Sequence, residues 1–189
     1  MKGNAGIKSI LKISIVLLII AALGYSGYTY FHIQQSGKHA AEVLSKMENI
    51  IPNLGVDTGM SKGLGRDPLP VISIDQIDIA GCIEVPSINL MAPVTAEGYE
   101  EEGFATIAGG SPVKGNFKLT GGRDDVFRKL SKAKPGDTVA FTDVDGIRYN
   151  YRVLTQFHLK EWDEADNDLM LCYKTDDNTE FVLGCMYAE

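Results

Sequence analysis

The chain has 189 residues, of which 44% are hydrophobic and 23% charged, and its formal net charge is −7. That length supplies one domain with a real core plus further segments, and the average composition argues against a mostly disordered chain or a many-span membrane protein. Three cysteines and three histidines exclude a disulfide-built scaffold and a four-cysteine zinc site, and an acidic pI near 5.0 argues against general nucleic-acid binding.

Residues 1–12 carry Lys2, Lys8 and Lys12 and no acid, and residues 13–31 carry no charge at all. Nineteen apolar-rich residues at about 1.5 Å each span about 28 Å, close to the hydrocarbon thickness of a bilayer. The lysines place the N-terminus in the cytoplasm, and Tyr25, Tyr28, Tyr30 and Phe31 suit an outer interfacial belt. A single-pass transmembrane anchor over 13–31 is therefore expected, with the following chain extracellular. The alternative is a cleaved signal peptide; Ala21 and Ala22 offer small residues, but no A-x-A site follows. Because three of the 18 basic residues precede the anchor, the exported part holds 15 basic and 25 acidic residues, a net −10.

A stalk is expected over 32–51. Within it, Ala40, Val43, Leu44, Met47, Ile50 and Ile51 recur every three to four residues, and Pro52 stops the helix. Residues 52–70 hold Pro52, Pro68, Pro70 and four glycines, the composition of a linker. From residue 71 to 189 the texture is that of short strands. These are Val71–Ile74, Ala80–Val85, Leu90–Val94, Phe117–Thr120, Thr138–Thr142, Ile147–Thr155, Asp168–Tyr173 and Glu180–Met186, with a helical turn at Phe127–Leu130. Asp143-Val144-Asp145-Gly146 is the strongest hairpin signal, since Asp-Gly tolerates the positive φ angles of a tight turn. Closely spaced strands with few helices predict a sandwich or barrel.

Several of these segments together resemble the sortase family. Ala80-Gly81-Cys82-Ile83-Glu84-Val85-Pro86-Ser87-Ile88-Asn89-Leu90-Met91-Ala92-Pro93-Val94 is similar to its opening G-x-I-E-I-P-x-I-x-L-x-x-P-V. Leu119-Thr120-Gly121-Gly122-Arg123 resembles its A-G-H strand end, with Phe127 and Leu130 following as F-x-x-L. Pro135-Gly136-Asp137 and Tyr149-Asn150-Tyr151-Arg152-Val153 resemble its G-D and Y-x-Y-x-V block. The resemblance implies a mostly β fold, an eight-stranded β-barrel with short helices, preceded here by the transmembrane helix. It also implies a Gram-positive cell-surface setting, where such enzymes cleave a sorting signal, hold it as a thioester and pass it to a cell-wall or pilin amine.

That chemistry needs a thiolate nucleophile, a histidine to exchange protons and an arginine to stabilise the oxyanion. By the resemblance, the histidine position holds Gly122. The cysteine position, at the end of Asp168–Tyr173, holds Lys174, and the arginine position falls on Glu180 or Phe181. No arginine follows Arg152, and the only histidine beyond the stalk is His158. A degenerate, non-catalytic sortase-like protein is therefore expected, recognising a surface-protein or pilin peptide or another sortase. The alternative is an active cysteine transpeptidase using Cys172, or Cys185 if the last strand is the nucleophile strand.

Cys172 lies two residues before Lys174, hence on the same strand face about 6–7 Å away. A neighbouring cation can lower a thiol pKa, whereas a barrel strand would bury the thiol and leave it inert. A disulfide between Cys82 and Cys185 stays open as a reading. Lys174 and Arg123 are candidate carboxylate-binding residues. Glu161, Asp163 and Glu164 lead an acidic cluster that could take calcium, although it lacks the spacing of a calcium loop and reads more simply as solvated. No other cofactor or metal is implied.

Overall fold

The computed structural model describes residues 15, 17–22, 38–51, 54, 65–96, 98, 103–122, 126–159, 167–175 and 179–188. The chain divides into two compact units, Met1–Ser36 and Gly37–Glu189. In the first, Ile15 and residues 17–22 are helical, and Leu17, Leu18 and Ile20 are exposed. Among the described residues no helix is long and apolar enough to cross a membrane; the rest of the 13–31 segment lies outside them.

Among the described residues of the second unit, nine strands follow a helix at 38–50. They are β1 (Ile72–Ile74), β2 (Ile77–Val85), β3 (Leu90–Thr95), β4 (Ala105–Ser111), β5 (Gly115–Gly121), β6 (Thr138–Asp143), β7 (Arg148–Leu159), β8 (Leu169–Lys174) and β9 (Glu180–Tyr187). Short 3₁₀ turns occupy Pro86–Ile88 and Phe127–Lys132. Neighbours run β2-β3-β4-β5-β8-β9-β7-β6, and β6 pairs back onto β2 from Gly81↔Asp143 to Glu84↔Ala140. That return closes an eight-stranded barrel, with β1 added beside the start of β2. Closure removes the open edges that a flat sheet of this length would present. The β3–β4 and β5–β8 pairs are parallel.

The Asp143–Gly146 signal forms the β6–β7 turn. Asp143 Oδ1 accepts from the amides of Asp145 (3.0 Å) and Ile147 (2.9 Å), and Gly146 takes φ +82°. β4 has no counterpart among the expected strands. Its Gly109 and Gly110 sit at register shifts against β5, which breaks the alternation of apolar residues that would mark a strand.

Inside the barrel, Ile83, Phe117, Leu119, Phe141, Leu171 and Leu183 belong to one buried cluster, with Phe117 edge-on to Phe141 at 5.0 Å. A second cluster lies under the helix, where Val43, Met47 and Ile51 meet Ile74, Ile79 and Phe104. The expected stalk helix is thus a packed layer on the barrel wall; each of those three side chains contributes about 1.5–3 kcal/mol by burial. All three cysteines are free and buried. A Cys82–Cys185 disulfide is not formed, because Cys82 faces the helix cluster and Cys185 the barrel interior.

Candidate functional site

β5 and β8 run side by side with Thr120↔Cys172 and Gly121↔Tyr173 in register, so Gly122 emerges beside the end of β8 where Lys174 stands. On the other side of β8, Lys174 is paired with Glu180 of β9. Three adjacent strands therefore deliver Gly122, Lys174 and Glu180 to one end of the sheet. Strand alternation fixes their facing. Leu169, Leu171 and Tyr173 point into the barrel with Phe181, while Met170, Cys172 and Val182 form a small cluster on its outer face. Glu180 and Lys174 share the phase of that outer cluster. Glu180, rather than Phe181, is thus the residue beside Lys174.

Among the described residues nothing lies within 4 Å of where a Cβ on Gly122 would stand, whereas a Cβ on Gly121 would collide with the Phe127 ring. Lys174 is exposed. Glu180 is half-buried, and its carboxyl is raised above the usual range by burial, opposed by the charges of Lys118 and Lys174. Lys118, on the outer face of β5, brings Nζ to 3.8 Å from Glu180 Oε1. It is itself lowered by burial, against the pull of Cys172 and Glu180. Sequence reasoning passed over Lys118, because a lysine alternating with Phe117 and Leu119 reads as an ordinary solvent-facing residue. No local signal marks its partner on β9.

Cys172 is fully buried, and its thiol is pushed up to about 12, chiefly by burial and then by Glu180, with Lys118 opposing. At Cys172 desolvation outweighs the pull of the nearby cation Lys118, which fits the reading of a buried thiol rather than one activated by a lysine. Cys185 stands opposite Leu169 at the far end of β9, five residues or about 17 Å from Glu180. Burial pushes its thiol to about 12 as well. His158 reaches the same end of the sheet on β7, but it pairs with Phe181, edge-on at 5.3 Å, and so lies on the face opposite Cys172. Arg123, Glu161, Asp163 and Glu164 lie outside the described residues. Among the described residues no group of three or more His, Cys, Asp or Glu side chains could hold a metal ion.

The eight strands close into a barrel in which the ends of parallel strands β5 and β8 and of the following β9 lie side by side. The family model described as the sortase domain matches residues 83–183, more than half of the chain, and the chain belongs to the sortase family. Among solved structures it is similar to the sortase D5 transpeptidase of Clostridium perfringens, at 17% identity and TM-score 0.51, over 59% of this chain and 80% of that one. It is also similar to sortase C1 of Streptococcus agalactiae, at 17% identity and TM-score 0.51, over 62% and 70%. Sortase C of C. perfringens, solved with the C-terminal cell wall sorting motif, matches at 18% identity and TM-score 0.50, over 66% and 76%. At these identities the likeness is one of fold. No curated protein matches the chain in sequence.

Proposed function

We propose that this protein is a membrane-anchored, extracytoplasmic sortase-fold module that recognises a surface-protein or pilin sorting peptide, or another sortase, without performing transpeptidation. One observation carries the reading: the point where β5, β8 and β9 converge bears Gly122, Lys174 and Glu180. Acyl transfer through a thioester requires a thiolate, a proton-transferring group and an oxyanion-stabilising donor within reach of one carbonyl. Here the thiol position holds an ammonium and the oxyanion position holds a carboxylate, which would repel the charge that develops there. The nearby thiol of Cys172 is buried and stays protonated. The charge-free 13–31 segment with lysines on its N-terminal side supports the anchor and the extracellular placement of the barrel.

The test is a titration of the full chain with a fluorescent LPXTG-like peptide, followed by mass spectrometry of the protein. Saturable binding with no thioester and no cleaved peptide is the expected result. Cleavage that disappears in Cys172→Ala or Cys185→Ala would establish an active cysteine transpeptidase instead. Absence of both binding and cleavage would leave a structural envelope module.

A further inference from the structure

The residues just before β1 make more specific contacts than their Gly- and Pro-rich composition suggests. Arg66 donates from Nε to Asp145 Oδ2 at 2.8 Å, and a terminal guanidinium nitrogen donates to the same oxygen. Asp145 belongs to the β6–β7 turn. The next residue, Asp67, pairs with Lys114 of the β4–β5 turn, and its carboxyl is lowered by that lysine and by a hydrogen bond from Ser111. Two consecutive residues of opposite charge thus grip two different hairpin turns. Leu69 packs against the barrel core. Gly65 lies so close to Tyr149 that a Cβ would collide with the tyrosine hydroxyl, with Val113 also in contact.

Polar groups at this end are poorly satisfied. Asp143, Tyr149 and Tyr151 are fully buried; Tyr149 faces Asp143 and Tyr151 faces Tyr187, but among the described residues Asp143 Oδ2 and the two hydroxyl oxygens find no partner in good hydrogen-bond geometry. The other oxygen of Asp143 holds the amides of the turn that carries Asp145. On β5, β8 and β9 these contacts lie at the end away from Gly122, Lys174 and Glu180.

We infer that residues 65–69 form a strap that closes this end of the barrel and lifts off without unfolding it. Besides the partly buried Leu69 and the contact of Gly65 with Tyr149, its grip is two ion pairs at exposed residues, a kind of contact that holds weakly and is screened by salt. Beneath it, the buried carboxylate and hydroxyls gain water when it lifts. The barrel itself closes through the β2–β6 ladder, which does not involve the strap. A segment with few apolar contacts, lying on a closed hydrogen-bonded scaffold, opens as a local unit.

Arg66 is itself a trypsin site, and trypsin must take its side chain away from Asp145, so cleavage after Arg66 reports strap opening in the folded full chain. In the wild type, cleavage normalised to a small trypsin substrate is expected to rise about tenfold between low salt and 1 M NaCl. A comparable rise is expected in Asp145→Asn, which breaks the grip, and in Gly65→Ala, which pushes the strap off Tyr149 by steric means. The barrel fragment should stay intact in the same digests. The inference is overturned if salt and both variants leave the cleavage rate at the wild-type value. It is equally overturned if cleavage after Arg66 appears only at urea concentrations that unfold the barrel.

Discussion

Lys118 of β5 reaches Glu180 of β9 across the whole width of the intervening strand β8, with Nζ and Oε1 3.8 Å apart. Cys172 is the outward residue of β8 between them, so the ion pair straddles a thiol that burial already keeps protonated. At pH 8 a thiol with a pKa of about 12 is ionised to only about one part in 10⁴. Ellman's reagent should therefore find no fast-reacting cysteine in the native protein and three in guanidinium. A native thiol that reacts fast and vanishes in Cys172→Ser would contradict this.

Gly121 and Gly122 are chain neighbours with opposite tolerance. Gly121→Ala drives a methyl into the Phe127 ring and should cost about 1–3 kcal/mol, whereas Gly122→Ala enters open space and should stay within about 0.5 kcal/mol. Urea denaturation of the two variants reads the difference.

That open space also allows the convergence of the three strand ends to be tested by construction. In the combined variant Gly122→His, Lys174→Cys, Glu180→Arg, the new thiol stands at an exposed position beside an imidazole and a guanidinium. It should react with Ellman's reagent where the native cysteines do not, and peptide cleavage should rise above the wild-type background. A thiol at 174 as inert as Cys172 would show that these ends do not form one site.

On the barrel wall, Arg148 donates to both carboxylate oxygens of Glu84 at 3.1 and 3.0 Å and to Thr142 Oγ1 at 3.3 Å, in a buried setting. Arg148→Met strands the Glu84 charge and should destabilise by about 3–5 kcal/mol. Pairing it with Glu84→Leu should recover most of that loss. A double-mutant cycle on urea midpoints measures the coupling.

Burial raises the Asp143 carboxyl above its ordinary range; the turn amides of Ile147 and Asp145 oppose this, and the Asp145 charge adds to it. Tyr149 also faces it, as a hydroxyl rather than a charge. The folded state thus holds this proton more tightly than the unfolded chain does. The Asp143 contribution to stability rises as pH falls from above that raised value toward about 4, its unfolded value. Asp143→Asn should flatten this slope, measured as the difference from wild type in urea midpoints between pH 4.5 and 8.

What the sequence disclosed follows from the range over which each signal acts. Asp143–Gly146 encodes its turn within four residues, and the strict alternation of Phe117-Lys118-Leu119-Thr120 declares both a strand and its two faces. β4 escaped because Gly109 and Gly110 bend it at the points where alternation would have shown. The meeting of Gly122, Lys174 and Glu180 rests on a parallel pairing between β5 and β8, which lie about fifty residues apart, and no local pattern specifies such a partner. Family resemblance supplied those positions, but not the Lys118 side chain laid across them. The strap has the composition of a linker because its hold is two ion pairs, a glycine contact and the single apolar residue Leu69, which together leave no apolar period.

Closure of the barrel has a consequence for the order in which the chain is made. β8 and β9 are inserted between β5 and β7, although they follow both in the sequence. Until they arrive, β5 and β7 each present an unpaired edge, and the ring that β6 begins by pairing onto β2 cannot be completed. A nascent domain in which β1 to β7 have been made therefore carries two sticky edges that β8 and β9 seal. Loss of β9 alone would hold the protein at that stage, where edge-to-edge association competes with folding.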